Sequence, residues 1–419
     1  MSDEQASSAD QLFRERPFVL LWFTRLLATI GYQALAVVIG WSIYAITGSA
    51  FDLGLIGLLQ FIPAVVLTLA IGHAADRYDR RLIVRLALAV YALCAAIVTA
   101  AMFAGWLSRE LLFAVVFAIG CARAFELPTG HSLVPATVPA RLLPRAVAAW
   151  TSANQAAVIC GPALGGFLYA VEPRAVSAVC VVFFVAALAC LGLVRVKGNV
   201  PSRDPPTLRS ALAGFEFIRS RSRLLGVITL DLFVVLLGGA TALLPIFAKD
   251  ILAAGPVGFG LLRSAPAVGA LLTAIVLSRY PVERHLGRKM FISVAVFGVA
   301  TVVFGLSTSL PLSMLALAVL GASDAVSVVI RFSLVQIETP DHMRGRVSAI
   351  NYLFVGSSNT LGDFEAGAVA GWLGAVNSVL IGGIGSLIIA GVWMGLFPDL
   401  RHLDRYQPAD DDDDDDVKA

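Results

Sequence analysis

Nine charged residues lie within long apolar stretches of this 419-residue sequence: Arg25, Arg123, Glu126, Asp231, Arg263, Asp324, Arg331, Asp363 and Glu365. In lipid surroundings each such charge costs roughly 2.5–3.5 kcal/mol, so each needs a partner or a task. Arg123 and Glu126 are three apart, which places them on one helix face where they can pair. A carboxylate beside an arginine is pulled toward its neutral form by desolvation and toward its charged form by the cation. Such a group can take up and release a proton as water access alternates. Glu126, Asp231 and Asp324 are the candidate proton carriers, with Arg25, Arg123 and Arg331 as the accompanying intramembrane charges. A static pair that ties helices together would use the same residues. Asp363 and Glu365 are two apart and cannot share a face, so one is expected on a water-accessible surface. Asp52, at the opening of the second apolar block, reads as a helix N-cap.

The elements that must carry these charges are apolar helices. Hydrophobic residues make up 58% of the chain and charged residues 14%, against about 25% charged in an average soluble domain. Blocks of about 20 apolar residues read as membrane spans. Six occupy 17–46, 50–71, 82–106, 110–138, 146–171 and 175–195. Six more occupy 224–252, 256–280, 289–308, 310–337, 346–373 and 376–398. The expected organisation is therefore a short cytoplasmic segment (1–16), a six-helix half (17–195), a cytoplasmic linker (196–223), a second six-helix half (224–398) and an acidic tail (399–419). Within the linker, Leu208, Leu212, Phe215 and Ile218 have helical spacing among basic residues, which predicts a short amphipathic helix at the membrane surface. The run Asp410 to Asp416 reads as a disordered cytoplasmic tail. The polar first sixteen residues do not resemble a signal peptide, and the first apolar block is long enough to stay as a span.

The net charge of +2 averages that tail against a basic body; without the seven aspartates, 31 basic residues face 22 acidic ones. With both termini cytoplasmic, 24 basic residues fall inside, three outside (Arg109, Arg174, Lys249) and four within spans. That asymmetry is the positive-inside pattern, not a nucleic-acid surface. Trp106 and Trp372 fall at outer ends as interfacial anchors. Cys94, Cys121, Cys160, Cys180 and Cys190 lie in apolar blocks without metal or disulfide spacing and read as packing. No metal site is expected, and the only energy source implied is a proton gradient rather than a bound cofactor.

The halves repeat. Arg80-Arg81 after the second block corresponds to Arg288-Lys289 after the eighth, and Arg123 to Arg331, both 208 residues apart. Pro139 to Arg145 corresponds to Pro340 to Arg346, and Gly161 to Gly362, both 201 apart. Gly161-Pro162-x-x-Gly165-Gly166 lets helices approach and bend. Pro63, Pro128, Pro135, Pro245 and Pro266 interrupt other spans. Phe61, Phe125, Phe233 and Phe247 are candidates to line an apolar cargo cavity, although packing explains any one of them.

Gly72-x-x-x-Asp76-Arg77-x-x-Arg80-Arg81 resembles the signature loop of the major facilitator superfamily, with Asp79 in place of its usual glycine. Arg123-Ala124-Phe125-Glu126 is similar to that superfamily's Arg-x-x-Gln-Gly element, with Glu126 and Leu127 substituted. The glycine-proline run resembles that of its proton-coupled exporters. Thr339-Pro340-x-x-Met343-x-Gly345-Arg346 with Gly362-Asp363 resembles the enterobactin-exporter and multidrug-exporter branch. The resemblance implies an all-α integral membrane fold of twelve helices in two pseudo-symmetric six-helix halves. It also implies that Asp76 and its arginines gate the inner face by charge-assisted bonds to a helix N-terminus.

The expected function is a monomeric secondary transporter in the bacterial cytoplasmic membrane, exporting small amphiphiles such as siderophores or drug-like compounds in exchange for protons. Its partners would be the small-molecule substrate, protons and the lipid bilayer. An importer of the same build, or a receptor or lipid-handling relative that moves no cargo, are the alternatives. An enzyme is not expected: no phosphate-binding Gly-x-x-x-x-Gly-Lys-Ser/Thr, His-Glu-x-x-His or Gly-x-Ser-x-Gly motif occurs, and the histidines are scattered.

Overall fold

The computed structural model describes residues 11–67, 78–194 and 215–406. Among the described residues the chain is helical and contains no strand. The long helices, in chain order, are α1 (Arg16–Thr47), α2 (Ala50–Val66), α3 (Arg80–Ala104), α4 (Arg109–Leu133), α5 (Leu143–Val171) and α6 (Pro173–Leu193). They continue as α7 (Ser222–Leu237), α8 (Gly255–Arg279), α9 (Leu286–Leu306), α10 (Leu310–Ile337), α11 (Asp341–Leu373) and α12 (Ala375–Leu396). Ten helical segments among the described residues are long and apolar enough to cross a membrane, and α2 is a shorter apolar helix. The remaining long helix, α11, carries Arg344, Arg346, Asp363 and Glu365 and is the more polar one.

Local chemistry explains where the helices turn. Gly48 adopts a left-handed conformation (φ 60°) that ends α1, and its N–H reaches the Tyr44 carbonyl at 3.0 Å. Ser49 follows at once as the cap of α2, so two helices meet through two residues. Gly105 and Ser108 repeat that chemistry between α3 and α4. Beyond α7 the helix is irregular. A tight turn over Ala240–Leu243 follows Gly238 and Gly239, and one turn at Leu244–Ile246, which holds Pro245, leads into a widened π-turn over Phe247–Ile251; glycine and proline are residues that interrupt an α-helical ladder.

The chain forms two compact units, Met1–Pro205 with Leu244–Ser264, and Pro206–Leu243 with Ala265–Ala419. The irregular stretch from Leu244 onward and the first part of α8 thus belong with α1 to α6, whereas the turn Ala240–Leu243 stays with α7. Inside the first unit, the glycines of α5 remove the side chains that would separate helices. A Cβ on Gly161 would lie 2.6 Å from Gln33 Cβ, and one on Gly165 would lie 2.8 Å from Ala34 Cα, both on α1. Gly166 lies against the Pro256 carbonyl and Gly260 of α8. In the second unit, a Cβ on Gly362 of α11 would lie 2.6 Å from the Val235 carbonyl of α7. The fifth helix of each half is therefore seated on the first through a glycine that the repeat places in register.

Residues 196–214, most of the expected amphipathic helix, and the run Asp410 to Asp416 lie outside the described residues. Residues 215–220 are helical. Their apolar face does not simply meet lipid: Ile218 is 2% exposed and packs with Leu224, Ile228, Val335, Met343, Val347 and Ile350. That cluster joins the entry to α7 to the facing ends of α10 and α11.

Substituting Gly165→Ala forces a methyl group into the α1 backbone. It should destabilise the protein by roughly 1–3 kcal/mol, read as a lower thermal midpoint in detergent. Gly192→Ala, where no atom lies within 4 Å of the new methyl, should leave that midpoint unchanged.

Candidate functional site

Each unit buries one ion pair between its first and fourth helices. In the first unit, Arg25 on α1 donates from Nη1 to Glu126 Oε1 on α4 at 2.8 Å. A second donor, Nη2, meets Asn154 Oδ1 on α5 at 2.8 Å, and the guanidinium lies 5.5 Å from the centre of the Trp150 ring. Arg25 and Glu126 are 7% and 5% exposed. The pairing expected between Arg123 and Glu126 is not the one formed. Three helical positions rotate a side chain by about 300°, so the two diverge by about 60°. Glu126 turns to α1, and Arg123 lies over the Tyr32 ring, 4.0 Å from its centre. The Tyr32 hydroxyl is in turn fixed by donating to Gln60 Oε1 at 3.0 Å.

In the second unit, Asp231 on α7 pairs with Arg331 on α10, and Asp324 stands 3.6 Å from the same guanidinium. Asp231 and Arg331 are each 8% exposed, whereas the Asp324 side chain is 44% accessible. These three residues line a cavity with Ser293, Ser323 and Ser327, about 10 Å³ in size, which is room for about one water.

The two pairs join the same helices of each half, the first and the fourth, with opposite polarity, although the repeat matches Arg331 to Arg123 rather than to Glu126. Arg25 and Asp231 are 206 residues apart, and Glu126 and Arg331 are 205 apart. The cation is on the first helix in one unit and on the fourth in the other. The charges also fail to cancel. With all groups ionised, Arg25, Arg123 and Glu126 leave one surplus positive charge, and Asp231, Asp324 and Arg331 leave one surplus negative charge.

Asp52 is not the N-cap. Ser49 takes that place, accepting from the Asp52 N–H at 3.2 Å. Asp52, 4% exposed, instead receives Arg109 of α4 in a two-pronged bond, Nε at 2.8 Å and Nη2 at 2.6 Å. Nothing in the spacing signals a partner 57 residues away. Also unsignalled is the hydrogen bond from the Tyr44 hydroxyl to Asp250, with Lys249 5.1 Å from the Tyr44 ring centre.

Of the inner loop, Gly72, Asp76 and Arg77 lie outside the described residues, and Arg80 and Arg81 open α3. Asp79, which departs from the glycine of the family pattern, caps that helix. Its carboxylate accepts the Arg81 N–H at 2.9 Å and the guanidinium at 2.8 Å. Arg81 also donates to the Val194 carbonyl at 3.3 Å, and Arg85 to the Leu191 and Gly192 carbonyls. Cations at the end of α6 thereby satisfy the terminal carbonyls. The Arg81 guanidinium holds the Asp79 carboxyl below the usual carboxylate range.

The four aromatics do not form one group within a unit. Phe61 and Phe125 are half-buried in the first unit and Phe247 there is fully buried. Phe233 is 40% exposed in the second unit, 5.3 Å from Trp393 between ring centres. Asp363 accepts the Thr241 hydroxyl at 3.2 Å. Among the described residues no three His, Cys, Asp or Glu side chains could hold a metal together, and Cys94 and Cys180 are buried as free thiols.

Residues 7–416 match the transmembrane secretion effector family. The chain belongs to this family of the major facilitator superfamily. Among its relatives, macrolide efflux protein A of Streptococcus pyogenes is 25% identical over 398 residues, covering 92% of this chain and 97% of that protein. Enterobactin exporter EntS of Escherichia coli K12 is 26% identical over 406 residues, covering 93% and 94%. In fold, it is similar to a bacterial homologue of the iron transporter ferroportin, with a TM-score of 0.71 at 19% identity over 94% of this chain and all of that one. A bacterial homologue of the lysosomal transporter Spinster gives 0.73 at 14% identity, covering 94% and 99%. The chain is thus a multi-pass membrane transporter with the twelve-helix major facilitator fold, and not an enzyme.

Two outcomes follow from the charges. Arg331→Met leaves two carboxylates without a cation and should cost roughly 3–5 kcal/mol. Arg25→Met should cost less, because Arg123 remains one turn from Glu126; thermal midpoints in detergent compare the two, and equal losses would contradict the charge count. Asp79→Ala should fray the first turn of α3 at a cost of about 1 kcal/mol. Because its folded-state pKa is lowered, the Asp79 contribution is complete at neutral pH, and it disappears as pH falls through that lowered value. Amide exchange at Arg81 to Ile83 reads both effects.

Proposed function

We propose that this transporter exports small amphiphilic compounds across the bacterial cytoplasmic membrane in exchange for protons, by alternating access, with both termini in the cytoplasm. The observation that carries the reading is the pair of carboxylates on one arginine in the second unit. One guanidinium balances one carboxylate, so a proton on Asp231 or Asp324 removes the surplus charge from a site with few compensating groups. Asp324 is the accessible member and the better placed to exchange that proton with water, while Asp231 stays in the pair with Arg331. In the first unit a proton on Glu126 would add to a positive surplus, so Glu126 is better suited to hold Arg25 in place.

The packing agrees with an exporter. Gly161, Pro162, Gly165 and Gly166 press α5 against α1 on one side and α8 on the other. A contact this close would limit the entry of water between these helices. The names of the relatives, a macrolide efflux protein and an enterobactin exporter, support outward movement of amphiphiles. Gly72, Asp76, Arg77, Arg80 and Arg81 are the proposed inner gate. The working unit is a monomer that draws its energy from the proton gradient.

The test is proton flux. Protein is reconstituted in vesicles holding a pH-sensitive dye, and a panel of anionic, neutral and cationic amphiphiles is added under a pH gradient. Cargo-dependent proton movement is expected in the wild type. It should fall at least about tenfold in Asp324→Asn, while in Glu126→Gln whatever cargo still moves remains accompanied by protons. Cargo movement without protons in the wild type would replace exchange by another coupling. A loss of coupling confined to Glu126→Gln would move the proton site to the first unit.

A further inference from the structure

Arg123, the surplus cation beside the first unit's ion pair, has no assigned use. Arg25 is taken by Glu126 and Asn154, and Arg331 by Asp231 and Asp324. Arg123 is different: among the described residues no carboxylate lies within 4 Å of it. Its neighbours are Tyr32 beneath the guanidinium plane and Tyr91 at its side, with the Glu126 charge one turn along. Stacking on a ring engages the flat face of a guanidinium and leaves its edge, with the N–H fork, for a planar acceptor. A cation–π contact supplies about 0.5–2 kcal/mol, less than an ion pair with hydrogen bonds.

Access and rigidity favour a ligand as the missing partner. Arg123 sits in the middle of α4 yet remains partly exposed, whereas Tyr91 beside it is 2% exposed. Gln60 holds the Tyr32 hydroxyl from α2. A Cβ on Gly120 would lie 3.2 Å from Gln60 Cα, so α2 and α4 are in close contact one turn before Arg123. The ring under the guanidinium is thus fixed before anything binds. A preorganised cation beside aromatic surface matches a small molecule that carries both an anion and an apolar body.

We propose that Arg123, positioned by Tyr32 and Gln60, is a binding site for an anionic group of the cargo, and that the transported class is amphiphiles bearing a carboxylate or phenolate. The proposal rests on the reading of the chain as a cargo-exporting transporter. It assigns opposite tasks to the two surplus charges: the cation in the first unit takes the cargo anion, and the carboxylate in the second takes the proton.

The experiment compares each acid with its own methyl ester, so that only the charge differs. Naphthoate, dodecanoate and 4-phenylbutyrate, each with its ester, are titrated against tryptophan fluorescence of the full-length protein in lipid nanodiscs at pH 7.5. At least one acid should bind about tenfold or more tightly than its ester, as expected for a charge-assisted contact. Arg123→Gln should bring that pair to within about twofold while the ester affinity stays as in the wild type, and Arg123→Lys should keep part of the preference. Unchanged ester binding and thermal midpoint show that the variant is folded. Absence of acid preference in all three pairs, including absence of binding, would overturn the proposal, as would a preference that survives Arg123→Gln. The two readings fail separately. Acid preference without cargo-linked proton flux would remove the exchange mechanism and leave this site standing. Proton-linked export of neutral or cationic amphiphiles alone would do the reverse.

Discussion

The structure depends on two ion pairs placed where water is scarce, Arg25 with Glu126 and Asp231 with Arg331. Each residue alone would make its helix costly to keep in lipid. As a pair, the two fix the distance and rotation between the first and fourth helices of their unit. The attraction is directional, because a guanidinium fork accepts only a narrow range of carboxylate positions. Removing either partner therefore costs more than the pair contributes, since the survivor stays buried. The fifth helix then closes on the first through glycines, Gly161 and Gly165 in one unit and Gly362 in the other. Ion pair and glycine contact together set the faces that α1 and α7 turn inward.

A duplicated scaffold with inverted charges can divide labour. The two units share helix order and the helices that carry their pairs, yet beside its pair one has a cation to spare and the other a carboxylate. Symmetry supplies the architecture, and its violation supplies the chemistry. Around the two ion pairs, Asp324 and Arg123 break the balance, and both are more exposed than the pairs they flank.

Spans and repeat were legible in the amino-acid order because both are one-dimensional signals: about twenty apolar residues per helix, and matched loops at nearly constant separation. The intramembrane charges were equally legible, because so few charged residues lie in apolar blocks. Their partners were not. Pairing Arg123 with Glu126 follows from helical spacing, which sees only residues one turn apart; the partner in the structure, Arg25, lies 101 residues away. The same blindness made Asp52 look like a cap, since Ser49 and Asp52 both suit a helix start and only the approach of Arg109 separates their roles. Asp79 looked like a lapse from the family pattern and proves to be a cap. The seat of Ile218 in a protein core, rather than at a lipid surface, depends on α10 and α11, which no local period can report.

The separation of the paired residues also has a consequence for biogenesis. A ribosome adds about 5–20 residues per second, so the 101 residues between Arg25 and Glu126 take roughly 5–20 s to make. Throughout that interval α1 has left the ribosome with a guanidinium and no counter-ion. Release into bulk lipid would be unfavourable, so α1 is best retained beside the insertion machinery until α4 arrives, and α7 with Asp231 faces the same wait for α10. Assembly of each half would then proceed by groups of four helices rather than one span at a time, with the order of synthesis part of how the charges find each other.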